Sequence, residues 1–232
     1  MPVTVVFTGL ACGMLLTAVG LALWGGFRQV PRLSHAVQAI GWLAGVTLLI
    51  GVLLTWQENH NASIPAIRLM LMAALAALPN PHRRCASSWD SAIPILPALI
   101  LAGVGLFWSP ESVGTGLGHR PVAPMELAIV ICGGIGARAM GEALSEIATL
   151  APHVEWSFTA AYMLLTLLVG EMALVNLRQW GTLWGGASGE SGLTGAWLIW
   201  SAAWLAPRQQ VRLRAALTIV ATLLLIVLAT GR

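Results

Sequence analysis

The chain has no lysine. All twelve of its basic residues are arginine, set against nine carboxylates, and charged side chains make up 9% of the 232 residues. A soluble domain carries roughly a quarter, so this deficit excludes the soluble enzyme classes. The net charge of +3 says little about nucleic acid, and no nucleic-acid partner is expected, because the arginines read as topology signals. Cysteine is scarce too. Cys12, Cys85 and Cys132 are far apart with no Cys-x-x-Cys, which removes a thiol-redox pair and a zinc knuckle. No Ser/His/Asp set, phosphate-binding loop or metal-ligand spacing appears, so neither an enzyme nor a side-chain metal cluster is expected. A cleavable leader is not expected either, since the first apolar run lacks a basic n-region and is long enough to span by itself.

What the chain has instead is repeated apolar runs, with 57% hydrophobic residues. Eight candidate spans cover 3–24, 36–56, 64–78, 93–108, 125–150, 158–177, 193–206 and 216–230. At such lengths only α-helices satisfy their own backbone in lipid. The expected fold is therefore an all-α polytopic membrane bundle of about eight transmembrane helices, forming a single integral membrane domain over 1–232. The third and seventh spans are short against the ~20 residues that a crossing needs. Pro31, Pro79, Pro81, Pro110, Pro121, Pro124, Pro152 and Pro207 mark the links. Arg28, Arg32, Arg83, Arg84, Arg208, Arg212 and Arg214 fall in odd-numbered loops; Arg120, Arg178 and Arg232 fall on the other side. Seven against three puts the odd loops in the cytoplasm and both termini outside an inner (plasma) membrane. Cys85 is then a cytoplasmic thiol.

The stretch 178–204 holds five of the eleven tryptophans, Trp180, Trp184, Trp197, Trp200 and Trp204, around a Gly/Ser/Ala run with Glu190. Spacings of three and four put each set on one helix face. Such a set can be a platform for a flat apolar ligand or an interfacial aromatic belt.

Eight spans with an outward tryptophan-rich loop between the sixth and seventh resemble the haem-handling membrane proteins of cytochrome c assembly. In that family the loop reads Trp-Gly-x-x-Trp-x-Trp-Asp-Pro-x-Glu, with a further Trp seven residues on. This chain matches at Trp180, Gly181, Trp184, Glu190 and Trp197, and has Gly186, Ala187 and Ser188 where the family has Trp, Asp and Pro. The run 164–179, ending in Asn176 ahead of Trp180, resembles the helix leading into that loop. The resemblance implies haem as cargo, lying on Trp180, Gly181, Trp184, Glu190, Trp197 and Trp200, and a cytochrome-assembly or other membrane-subunit partner. It also implies paired axial histidines. His60 and His119 are the outer-side candidates, His60 lying where the family often has Gly-His; His35, His82 and His153 fall in cytoplasmic links, and none follows the tryptophan loop.

The fifth span carries Arg138, Glu142 and Glu146 on one face, and the sixth carries Glu171. Arg at mid-membrane costs roughly 3 kcal/mol on translocon scales, so such groups pair or face water. Arg138 is expected to pair with Glu142 or with Glu171. The cluster fixes packing, or serves a proton, a quinone headgroup or a partner subunit. Gly133, Ala137 and Gly141 repeat at four-residue spacing and admit a close neighbouring helix. The histidine deficit leaves two readings open: a haem-handling protein degenerate in its ligands, and a haem-free scaffold subunit of an electron-transport or assembly complex. A small transporter, the third class, predicts similar halves, which the hydropathy does not show.

Overall fold

The computed structural model describes residues 3–28, 33–59, 65–78, 91–107, 124–149, 156–183, 188–207 and 209–230. Among the described residues there are eight α-helices and no strand: α1 Val3–Arg28, α2 Leu33–Asn59, α3 Pro65–Ala77, α4 Leu96–Phe107 (entered through a 3-10 turn, Ile93–Ile95), α5 Pro124–Thr149, α6 Trp156–Trp180, α7 Ser188–Leu205 and α8 Val211–Ala229. Each corresponds to one apolar run of the sequence. Several start where chemistry favours a start. Pro65 and Pro124 occupy first positions, where the missing N–H costs nothing, and Glu126 and Glu190 lie in first turns, where the helix dipole favours an anion.

Among the described residues, five helices are long and apolar enough to cross a membrane: Val5–Arg28, Leu33–Thr55, Glu126–Ile147, Trp156–Trp180 and Val211–Ala229. α3 and α4 are shorter, and the first turns of α7 are Gly, Ser and Glu190 rather than apolar residues. The long helices carry large exposed apolar side chains such as Leu16, Leu53 and Leu167, a surface suited to lipid rather than water. Hydroxyls within the helices are satisfied locally: Thr17, Thr47, Thr55, Thr166, Thr194 and Thr218 each donate to the carbonyl four residues back, which removes the cost of a bare donor in an apolar medium.

The chain divides into two compact units, Met1–Ala123 and Pro124–Arg232. In the first, α1 packs along α2, and α3 packs against α2 and α4. α3 is buried nearly all round, from Ile67, Leu69 and Met70 to Ala73, Ala74 and Ala77. Thirteen residues reach only about 20 Å, short of a ~30 Å hydrocarbon core, and protein rather than lipid encloses this helix. Small residues bring it close to α2: a Cβ built on Gly45 would lie 3.2 Å from the Ala74 carbonyl oxygen.

In the second unit, α5 packs against α6 and α8, and α7 against α6 and α8. The core gathers Cys132 and Ala139 of α5, Phe158, Leu165 and Met172 of α6, Trp200 of α7 and Leu225 of α8. Polar ties cross between helices in this core. Cys132 Sγ donates to Ala161 O at 3.6 Å, and Thr222 Oγ1 donates to Gly136 O at 3.2 Å.

Candidate functional site

α6 runs to Trp180 and stops because Gly181 takes a left-handed conformation, φ +68°, while its N–H still donates to Leu177 O at 3.1 Å. Glycine adopts that conformation without a Cβ penalty, the usual way a helix ends. Trp180 is 69% exposed at this end. Trp184 lies outside the described residues. α7 begins at Ser188, and the Glu190 side chain is half-buried in its first turn. One turn before Trp180, Asn176 is buried, and its amide nitrogen has no hydrogen-bond partner in the structure.

Trp197, Trp200 and Trp204 do share one side of α7, and that side is turned to α6. Trp197 Nε1 donates to Thr166 Oγ1 at 3.1 Å. The Ser201 and Tyr162 hydroxyls lie 3.3 Å apart; since Ser201 already donates to Trp197 O at 2.8 Å, its oxygen is the acceptor for Tyr162. Trp204 stacks on Phe158 and Tyr162, with ring centroids 5.8 and 5.3 Å apart and interplanar angles of 9° and 15°. Trp200 is fully buried, tilted against Phe158 at 5.5 Å, with its ring edge 3.3 Å from where a Gly136 Cβ would stand. Trp200 therefore sits inside the core rather than on the loop surface. Of the expected platform, Trp180 and Gly181 stand at the open end of α6, Glu190 at the start of α7, and Trp197 half-buried below them. Phe158, Tyr162 and Thr166, spaced by four on α6, are the partners that the reading of tryptophans alone missed.

The charge cluster is built from α5, the first turn of α6 and the first turn of α8. Arg138 and Glu142 are 4% and 5% exposed. Arg138 Nε lies 3.4 Å from Glu142 Oε1, an ion pair without hydrogen-bond geometry at that nitrogen. Ser157 donates to the other oxygen of Glu142, and the Arg138 guanidinium lies over the Trp156 ring, 5.7 Å from its centroid. Arg214 lies over Phe158 at 4.8 Å. Glu142, Glu146, Arg214, Phe158 and Thr218 line a cavity of about 20 Å³, room for a single water. Two carboxylates and two guanidiniums balance here, an arrangement suited to pinning three helices together. Glu171 is not part of it: fifteen residues along α6 from Trp156, it lies about 22 Å further along the axis and is exposed. Gly133, Ala137 and Gly141 are all buried, and α5 is closely approached at Gly136 by Trp200 and Thr222.

Among the described residues no group of three or more His, Cys, Asp or Glu side chains is placed to hold a metal ion. Porphyrin iron needs only one or two axial side chains. His60 and His119 lie outside the described residues, as do His82 and His153, while His35 is exposed in the first turn of α2. The described residues at the α6–α7 end offer aromatic and carboxylate groups and no imidazole. Comparison with protein-family models, curated proteins and solved structures finds no match to this chain.

Proposed function

We propose that this chain is a haem-handling membrane protein of the cytochrome c assembly type whose own iron-ligand set is incomplete. The reading is supported by one register of residues: Trp180, Gly181, Trp184, Glu190 and Trp197, with Gly181 left-handed and Trp180 exposed beside it. Trp180 and Trp184 give ring surface to a porphyrin plane. Glu190 and the unpartnered amide of Asn176 provide polar groups for its rim, and the iron ligand comes from His60, His119 or a partner protein. The chain crosses an inner (plasma) membrane eight times, with α3, α4 and α7 completing the crossings. Both termini and the 178–204 segment face outward. No bond within the protein changes, so the role is binding and transfer rather than catalysis.

Purified alone, the chain should carry no stoichiometric haem. Added iron-free protoporphyrin should quench its tryptophans about as strongly as added haemin, because contact with the plane, not ligation of iron, holds either one. Trp180→Ala and Trp184→Ala should weaken both. A Soret band that survives purification and shifts on His60→Ala or His119→Ala would show that the chain completes its own iron site. Failure of both porphyrins to bind sinks the haem reading. Orientation is tested by a membrane-impermeant thiol reagent on intact cells: Ser188→Cys should react, and Cys85 should not.

A haem-free scaffold subunit is the second reading, favoured by the commitment of Trp197, Trp200 and Trp204 to packing against α6. Under it, Trp180→Ala and Trp184→Ala weaken co-purification of a neighbouring membrane subunit and change no spectrum.

A further inference from the structure

One side of α6 is used by neither the aromatic ladder nor the charge cluster. The helix buries Ala161, Leu165, Leu168, Met172 and Asn176 against its own unit. The opposite side presents Met163, Leu167 (70% exposed) and Leu174, with Gly170 and Glu171 exposed between them. Glu171 stands about 14 Å from Trp180 and 22 Å from Trp156 along the axis, well inside a ~30 Å hydrocarbon layer. A carboxylate facing lipid at that depth is costly, and intramembrane ionisable groups are ordinarily paired.

Among the described residues none pairs with this carboxylate. Arg68 of α3, Arg138 of α5 and Arg214 of α8 are already engaged. Arg178 shares the face of Glu171, but seven residues further on it is about 10 Å away along the helix. A second copy laid parallel against this face would set Glu171 against Glu171, like charge against like. Charge complementarity therefore selects a different occupant. Gly170, where an added Cβ meets nothing within 4 Å, leaves that occupant a close approach beside the carboxylate, the small-residue geometry that helix contacts in lipid favour.

We propose that the face formed by Met163, Leu167, Gly170, Glu171 and Leu174 docks one membrane-spanning helix of a partner subunit that carries lysine or arginine at mid-membrane. The inference does not depend on the haem reading. The test uses the full chain, dye-labelled at its C-terminus, in phosphatidylcholine vesicles with acceptor-labelled leucine-rich peptides of about 21 residues, long enough to span. One peptide carries a single central lysine and the other is leucine throughout. By energy transfer the lysine peptide should associate about tenfold more tightly, the scale of a polar contact in lipid. Glu171→Leu should erase that preference. Gly170→Leu, which keeps the carboxylate and blocks the approach, should weaken binding of the lysine peptide as well. Equal association of the two peptides, or a preference untouched by both variants, overturns the proposal. So does disulfide cross-linking of Leu167→Cys between copies that is lost with Glu171→Leu, since the occupant would then be a second copy.

Discussion

The two units solve the same packing problem by different means. In Met1–Ala123 the helices close on small residues: Gly45 against Ala74 and Ala77, and Gly51 against Phe7 and Met70. In Pro124–Arg232 the space is filled by rings and charge, with Trp200 over Gly136, Trp204 on Phe158 and Tyr162, and Arg138 on Glu142. Lipid is as apolar as leucine, so burial alone drives helices together weakly there; close van der Waals contact and polar ties must do it. The first unit relies on the former, which leaves few functional groups. The second relies on the latter, and the candidate chemistry lies in it. The contrast predicts where each unit breaks.

The largest losses belong to the second unit. Trp200→Ala empties a fully buried ring site and should cost about 3–5 kcal/mol, read by thermal unfolding in detergent. Trp200→Phe should recover most of that, because the indole N–H it deletes has no partner. Trp180→Ala, at an exposed site, should change stability by no more than about 0.5 kcal/mol. Equal losses at Trp200 and Trp180 would erase the division between core and surface tryptophans.

Arg138→Leu should cost about 3–5 kcal/mol by leaving Glu142 buried and unpaired, less if the carboxylate takes up a proton. The double change Arg138→Leu with Glu142→Leu should be milder than the single one, since apolar replacement of a whole buried pair is often neutral. Full stability in the single variant would place the guanidinium against water or headgroups.

In the first unit the equivalent break is steric. A Cβ on Gly51 would stand 2.6 Å from Phe7 Cβ and 2.9 Å from Met70 Cε. Gly51→Ala should therefore cost about 1–3 kcal/mol through overpacking. Gly13→Ala and Gly103→Ala, with nothing within 4 Å, should be neutral or gain up to about 1 kcal/mol of helix propensity. Tolerance at Gly51 would mean that the first unit is as loosely packed there as at its free glycines.

The positions of all eight helices were legible, because each apolar run is bounded by proline, glycine or arginine and a span in lipid has no other regular option. Which runs face lipid was not legible: α3 reads as apolar as its neighbours, and only tertiary burial distinguishes a helix enclosed by protein from one with exposed apolar side chains. Glu142 as the partner of Arg138 followed from four-residue spacing. Glu171 did not, because sequence carries no axial register between helices. A hairpin with level ends would set Glu142 beside Met163, whereas the structure sets it beside Ser157, so α5 runs past the start of α6. The tryptophan face was legible as a face; what covers it depended on Phe158, Tyr162 and Thr166 arriving opposite.

A smaller loss than those at Trp200, Arg138 and Gly51 separates the ladder from the platform most directly. Trp197 belongs to both: the loop register includes it, and its indole N–H is held by Thr166 Oγ1 at 3.1 Å. Trp197→Phe keeps an aromatic ring and deletes the donor; Thr166→Val keeps the shape and deletes the acceptor. Polar side-chain pairs in membrane proteins average about 0.6 kcal/mol in double-mutant cycles, so each single change should cost about that much. The double variant should cost little more than either alone, leaving a coupling of similar size. In that case Trp197 is a rung between α6 and α7, and porphyrin quenching should be unchanged in Trp197→Phe. Purely additive costs, together with weaker porphyrin binding in Trp197→Phe alone, would instead free the indole from Thr166 and return it to the ligand platform.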